Sequence, residues 1–350
     1  MPTKIEEVKI RPLDKAAMAA ARERQAQLTK PAGSLGRLEE LSIQLAGITG
    51  DPLPSVDSKA IVVMAGDHGV TAEGVSAYPA EVTGQMVLNF LHGGAAINAL
   101  ARQLDAQVVV VDMGVGVELE PHPDLLDRKV AFGTANLAGG PAMTASQAEV
   151  AVQAGIEIAE KLVADGIRML GTGEMGIGNT TAASAITAAL TGAHPAQVVG
   201  RGTGIDDAGL ARKVTIVERA LAVNSPDADD PMDVLAKLGG FEIAGLTGLI
   251  LGGAAAGVPV VIDGFITGAA ALLAGRLAPE AVGRMIASHQ SVEIGHKVIL
   301  ETLGLVPLLE LELRLGEGTG AALGMHVIEA ACRTLSEMAT FGDAGVADRQ

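Results

Sequence analysis

Short apolar runs alternate with glycine-rich breaks along most of the 350-residue chain. Ile61-Val62-Val63-Met64 leads into Ala65-Gly66-Asp67-His68-Gly69, and Val108 to Val111 leads into Asp112-Met113-Gly114. Ile167 to Leu170 leads into a loop with Gly171, Gly173, Gly176 and Gly178. Val198-Val199 leads into Gly200-Arg201-Gly202-Thr203-Gly204, and Val258 to Ile262 into Asp263-Gly264. Helical patterns follow most of these breaks. Strand, glycine turn and helix in alternation predict a parallel sheet with helices on both faces. In such a sheet the ligand lies beyond the carboxyl ends of the strands, so the Gly, Asp, His and Glu residues of the breaks should gather on one edge.

The flanks read as helical. Asp14 should cap a helix running through Ala26, and Ser34 a second one with an apolar face of Leu35, Leu38, Leu41, Ile43 and Leu45. Asp51-Pro52-Leu53-Pro54 should close that second helix. Near the other end, Pro279-Glu280 should open a helix through Ile286, and Ala321 to Met338 another. Leu246 to Gly275 is nearly uncharged and long enough to span a bilayer. Its internal glycines, Pro259 and Asp263 favour helix, turn, buried strand, loop, helix instead.

Composition narrows the function. A formal charge of −16 disfavours nucleic acid and anionic membranes as partners. Aromatic residues are only 2%, which removes base-stacking platforms. Cys332 is the single cysteine, so no intrachain disulfide or cysteine metal cluster can form. The seven His residues show no metal-binding pair, and neither metal nor cofactor is expected. Glu6 and Glu7 near the start, with no apolar stretch, resemble no signal peptide, and a cytoplasmic protein is expected.

The stretch from Asp165 to Leu190 carries the clearest chemistry. A glycine turn opening a helix presents free N–H groups and the positive end of a dipole to an anion. Gly171-x-Gly173-x-x-Gly176 matches a dinucleotide fingerprint, but the acidic residue required about 20 positions later is missing. The Gly-Lys-Ser/Thr of a nucleoside-triphosphatase loop is missing too, and Glu174 stands inside the turn. A carboxylate there would repel a second phosphate yet accept hydrogen bonds from ribose, which suggests a sugar monophosphate. The plain alternative is a tight turn with no ligand.

Glu317, between Gly316 and Gly318, follows Leu311, Leu313 and Leu315, read as an apolar strand end. It is either a base with a raised pKa or a glutamate favoured by the helix dipole. Asp67-His68 reads as loop hydrogen bonding rather than a metal site. Asp263 could bind a ribose hydroxyl or cap a helix. Arg212 or Lys213 could face phosphate or solvent. Cys332 reads as core.

Four motifs then occur in order: Lys30-Pro31-x-Gly33-Ser34-Leu35-Gly36, Ala65-Gly66-Asp67-His68-Gly69-Val70, Gly173-Glu174-Met175-Gly176-Ile177-Gly178-Asn179-Thr180-Thr181, and Leu315-Gly316-Glu317-Gly318-Thr319-Gly320. Together they resemble the nicotinate-nucleotide–dimethylbenzimidazole phosphoribosyltransferases of cobalamin biosynthesis, from about residue 5 to 340. The resemblance implies an α/β fold: a parallel, Rossmann-like sheet (56–329) with helices on both faces, plus a small helical domain from the two chain ends (1–55 with 330–350), in a homodimer. It implies transfer of phosphoribosyl from nicotinate mononucleotide to 5,6-dimethylbenzimidazole, or a related benzimidazole-type base, giving α-ribazole 5′-phosphate and nicotinate with inversion. Glu317 would be the base and Glu174 the second acid. Gly176, Gly178, Asn179 and Thr180, with Gly202, Lys213, Asp263 and Ser291, would hold the phosphoribosyl group. Tyr78, Gln85, Met86, Met175 and Leu315 would line the acceptor pocket. A non-catalytic nucleotide-binding protein is the rival on the same fold, and a dinucleotide oxidoreductase a weaker one.

Overall fold

The structure is a computed structural model and describes residues 3–347. Residues 1–2 and 348–350, part of the expected terminal helical unit, lie outside the described residues. Helices α1 (Lys15–Gln27) and α2 (Arg37–Thr49) precede strand β1 (Lys59–Gly66). Then come α3 (Val82–Leu91), α4 (Ala96–Leu104), β2 (Gln107–Gly114), β3 (Leu125–Asp127) and α5 (Ala145–Ala164). Strand β4 (Met169–Met175) is followed by α6 (Asn179–Thr191), α7 (Pro195–Val198), α8 (Asp207–Asn224), α9 (Pro231–Leu238) and α10 (Phe241–Ala256). Strand β5 (Val260–Ile262), α11 (Phe265–Leu277), β6 (Met285–Ala287), α12 (Ile294–Leu303), α13 (Thr319–Glu337) and α14 (Phe341–Ala344) complete the chain.

The six strands are parallel in the order β3-β2-β1-β4-β5-β6. The chain therefore builds outward from β1 in one direction and from β4 in the other. Along β1 every residue is buried, because helices cover both faces. On one face Val62 and Met64 share a core with α5, α6, α10 and α11. On the other, Ile61 and Val63 share one with α2, α3, α4 and α13. Removing any such fully buried aliphatic side chain from water contributes about 1.5–3 kcal/mol.

The uncharged stretch that could have been a membrane span is α10, β5 and α11, and α10 is apolar all round because it is wrapped by α5, α11 and the sheet. Among the described residues no helix is long and apolar enough to cross a membrane. The terminal segments meet where Ala17, Ala21, Ala46 and Leu335 pack together, while Leu41 and Leu45 of α2 join the core on the sheet.

Several local expectations are corrected. Asp14 caps α1 as expected, accepting from Ala16 and Ala17 N–H at 2.9 Å. Ser34, however, does not cap α2, which starts after Gly36, a residue with φ 52 and no capping side chain. Gly171 and Gly173 belong to strand β4 rather than to the turn, because they pair with Ile61 and Val63 of β1. Val198-Val199 is not a strand: Pro195 opens one helical turn, with His194 Nδ1 accepting from Ala196 N–H, and the sheet position beside β4 is taken by β5. Pro279–Arg284 forms only a short 3-10 turn, and Met285 to Ala287 straightens into β6 because β5 offers it an open edge. Leu311 and Leu315 are not a strand end. Glu312 turns left-handed between them, and both leucines are more than half exposed, 51% and 58%. Strands β3 and β6, three residues each, have no signature of their own in the sequence.

Candidate active site

The strand order reverses between β1 and β4, and the crevice beyond their carboxyl ends is where such sheets bind ligands. β4 ends at Met175, and Gly176-Ile177-Gly178 turns into α6. Gly178 precedes the helix at φ 95, a conformation a side chain would resist, and no side chain caps the helix. Asn179 N–H donates to the Gly176 carbonyl at 3.1 Å and Thr181 N–H to that of Gly178 at 2.9 Å, which leaves the Gly178 and Thr180 amides to meet an anion. The turn is braced from behind by Thr83, whose hydroxyl accepts from Ile177 N–H at 3.1 Å.

Glu174 projects from β4 and is buried. Asn179 Nδ2 donates to its Oε2. Burial first, and then the Asp263 carboxylate, raise its pKa to about 8, against the pull of Asn179. Glu174 therefore carries a proton at neutral pH.

Glu317 lies opposite. It has φ 61 between Gly316 and Gly318, which are also left-handed. A non-glycine residue held there stores about 1–3 kcal/mol of strain. Its Oε2 accepts from Ile97 N–H, at the start of α4, at 3.3 Å. Burial raises its pKa, and the Ile97 bond opposes the rise. The turn sits directly on β4: a Cβ on Gly173 would lie 2.5 Å from the Glu317 carbonyl oxygen. Asp263 fixes the same turn from below, accepting from Gly318 N–H at 3.2 Å and Ala321 N–H at 2.9 Å. Of its two expected roles, the structure shows the cap, on α13 rather than on the helix that follows it in sequence.

One cavity of about 480 Å³ gathers Glu174, Gly176, Gly178, Asn179 and Thr180 with Glu317. Gly202 and Ser291 also line it, as do Tyr78, Met86, Met175 and Leu315. Three expected residues do not. Lys213 is buried behind the wall, its Nζ donating to Thr180 Oγ1 at 2.7 Å, and burial lowers its pKa to about 8. Asp263 lies beneath the Glu317 turn. Gln85 is exposed, because Val82 and Met86, four residues apart, are the α3 positions that reach the cavity. A second cavity, beside α9 and the start of α5, has its charges consumed in the Asp233–Lys237 pair, 2.7 Å apart.

Sequence reasoning passed over several residues. Glu242 is one: it pairs with His68 at 2.6 Å, both side chains fully buried, underneath the Gly176 turn. Burial would lower the His68 pKa, but the Glu242 carboxylate outweighs it and holds the pKa above the usual value. This is the hydrogen-bonding role expected of His68, with a partner 174 residues away that no spacing could reveal. Glu293 accepts from Gly202 N–H at 2.9 Å and orders the 200–204 segment. His289 and Arg314 also line the cavity. Burial pushes His289 down to about 4, so it is neutral. Cys332 is buried on α13, and burial raises its thiol to about 12, out of nucleophilic range. Among the described residues no three His, Cys, Asp or Glu gather as a metal site.

A doubly wound sheet whose switch point holds a glycine turn opening a helix and two buried carboxyl groups suits transfer of a phosphorylated sugar. The family described as Phosphoribosyltransferase matches residues 10–346, so the protein is an enzyme of the pentosyltransferase class. The nicotinate-nucleotide–dimethylbenzimidazole phosphoribosyltransferase of Chloroflexus aggregans is 60% identical over 341 residues, covering 97% of each chain. That of Geobacter metallireducens is 59% identical over 337 residues, covering 96% of each. The crystal structure of CobT from Thermus thermophilus superposes with a TM-score of 0.93 at 53% identity, covering 95% of this chain and all of that one. The chain belongs to the nicotinate-nucleotide–dimethylbenzimidazole phosphoribosyltransferase family.

Proposed function

We propose that the enzyme moves the phosphoribosyl group of nicotinate mononucleotide to 5,6-dimethylbenzimidazole, giving α-ribazole 5′-phosphate and nicotinate. The observation that carries this reading is the placement of Glu317 and Glu174 on the same cavity as Gly178 and Thr180, whose amides at the start of α6 are unspent. A benzimidazole nitrogen attacks ribose C1′ from the face opposite nicotinate, with inversion. The C1′–N bond to nicotinate breaks, and its electron pair neutralises the pyridinium, so the leaving group needs no acid. The acceptor's other nitrogen gives its proton to Glu317, a single general base being sufficient.

Within the Gly176–Thr180 turn the Gly178 and Thr180 amides would hold the 5′-phosphate, Ile177 N–H being held by Thr83 and Asn179 N–H by the Gly176 carbonyl, with Gly202 and Ser291 at the rim and Lys213 acting through Thr180. Asp263 contributes by fixing the Glu317 turn. Tyr78, Met86, Met175 and Leu315 would form the acceptor pocket, and Gln85, outside it in one chain, is left with no contact to the base. A homodimer and a cytoplasmic location belong to the same reading and rest on the family resemblance. Residues before Asp51 would then lie near the partner's site, and sedimentation of a fully active monomer would refute the dimer. The test of the reaction is incubation with nicotinate mononucleotide and dimethylbenzimidazole. Equal release of nicotinate and α-ribazole phosphate is expected, and no nicotinate would overturn it.

A further inference from the structure

The cavity must accept a phosphate although acidic groups surround it. Glu174, Glu293 and Glu317 all line its wall. The chain as a whole carries −16. Lys213 is the cation that the sequence suggests for phosphate, yet it is fully buried and its Nζ is engaged by Thr180. Arg201 is held away by Asp207 and by the Ile205 carbonyl. His289 is neutral.

Arg314 stands apart from these. It lines the cavity, is exposed, and takes part in no ion pair among the described residues. It comes just before the Glu317 turn and reaches across the mouth to the 200–204 segment. Its Nη1 lies 3.5 Å from the Gly202 carbonyl, at the outer limit of a hydrogen bond. Gly202 in turn abuts the phosphate end of the site: a Cβ there would lie 2.9 Å from Thr180 Oγ1 and 3.2 Å from Lys213 Nζ. The guanidinium is thus held beside Gly202, on the same cavity as Thr180 at the start of α6, with its donors nearly unspent.

We propose that Arg314 is the direct cationic ligand of the donor's 5′-phosphate, closing over it from above while the α6 amides hold it from below. Its planar fork suits phosphate, and a charged partner would displace the weak contact to the Gly202 carbonyl. The proposal rests on nicotinate mononucleotide being the donor. The donor's other anion, the nicotinate carboxylate, is the competing partner.

Calorimetric titration with nicotinate mononucleotide and with nicotinamide mononucleotide separates the two, since both carry the phosphate and only the first has the carboxylate. Arg314→Met should weaken both by about 10- to 100-fold, the loss of a charged hydrogen-bonding pair. Arg314→Lys should weaken both by less, keeping the charge without the fork. Unchanged affinities would overturn the proposal, and so would a loss confined to the nicotinate compound, which would assign Arg314 to the carboxylate. Arg314 is exposed, so both variants should keep the wild-type Tm. Binding needs no turnover: if the wild type releases no nicotinate, the reaction is wrong, and the two affinities still decide the role of Arg314.

Discussion

Helices α6 and α13 begin alike. Each opens on a left-handed glycine, Gly178 at φ 95 and Gly318 at φ 93, and each is preceded by a Gly-Glu pair. Their glutamates nevertheless differ chemically. Glu174 is part of a strand, and its partner, Asn179, is five residues away. Glu317 is itself the strained residue of its turn, and its partner is the backbone of Ile97, 220 residues away. Burial and the surrounding carboxylates of Asp263, Glu242 and Glu317 leave Glu174 protonated at neutral pH. Glu317 is raised by burial alone, with a helix-start amide favouring its charged form. Both carboxyl groups are raised, in similar local sequence, but the groups that act on each are different and are brought from elsewhere in the chain.

The largest expected effect comes from removing Glu317, the proposed base. Glu317→Gln should fold normally and bind the mononucleotide, but lose about 10²–10⁴ in kcat, as for the loss of a general base. The acid limb of the wild-type profile, where Glu317 protonates, should vanish with it. If Glu317→Gln keeps near-normal kcat and the same limb, the base is elsewhere.

Next is the contact between the two turns. Gly173→Ala would force a Cβ to within 2.5 Å of the Glu317 carbonyl oxygen and 2.9 Å of its carbonyl carbon, both backbone atoms that cannot swing aside. A displaced Glu317 should cost about 10²-fold in kcat, since catalysis is sensitive to ångström-scale misplacement. The overpacking should cost about 1–3 kcal/mol in stability. Denaturant unfolding and steady-state kinetics together check both, and a fully active, fully stable variant would show that the two turns are not rigidly coupled.

Glu174→Gln should be the mildest at neutral pH, with kcat falling less than about tenfold, because glutamine resembles the neutral acid already present. Its signature is in pH. The folded pKa of about 8 lies above the ordinary glutamate value of 4.5, so the folded chain holds the extra proton between them. Stability from this group is full at low pH and is lost as pH rises through that window. The wild type should therefore lose more Tm than Glu174→Gln on moving to pH 8 and above. Parallel Tm curves would mean that Glu174 is ionised throughout.

Much of the fold was legible because it rests on local rules. The runs at Ile61 and Val108 are buried on both faces and so read as continuous apolar strands. Asp14 caps α1 with its own side chain, a contact that needs nothing beyond three residues. Elsewhere local rules misled. Val198-Val199 resembles a strand but has no open sheet edge to join, whereas Met285 to Ala287 resembles a helix end and does have one. Strand identity in a parallel sheet depends on a neighbour far along the chain, which composition does not encode.

The sequence alone determined the strand–turn–helix alternation, the glycine turns that present helix amides, and the presence of Glu174 and Glu317 in them. Only the tertiary structure decided what those residues became. It put Lys213 behind the wall and Arg314 upon it, turned Gln85 outward, and made Asp263 a cap for α13. It also set His68 on Glu242 beneath the Gly176 turn. The reason is physical: a side chain that caps its own helix, as Asp14 does, needs only adjacent residues, but a cap from another element, burial, charge and pKa depend on neighbours in space, and here those neighbours come from the whole length of the chain.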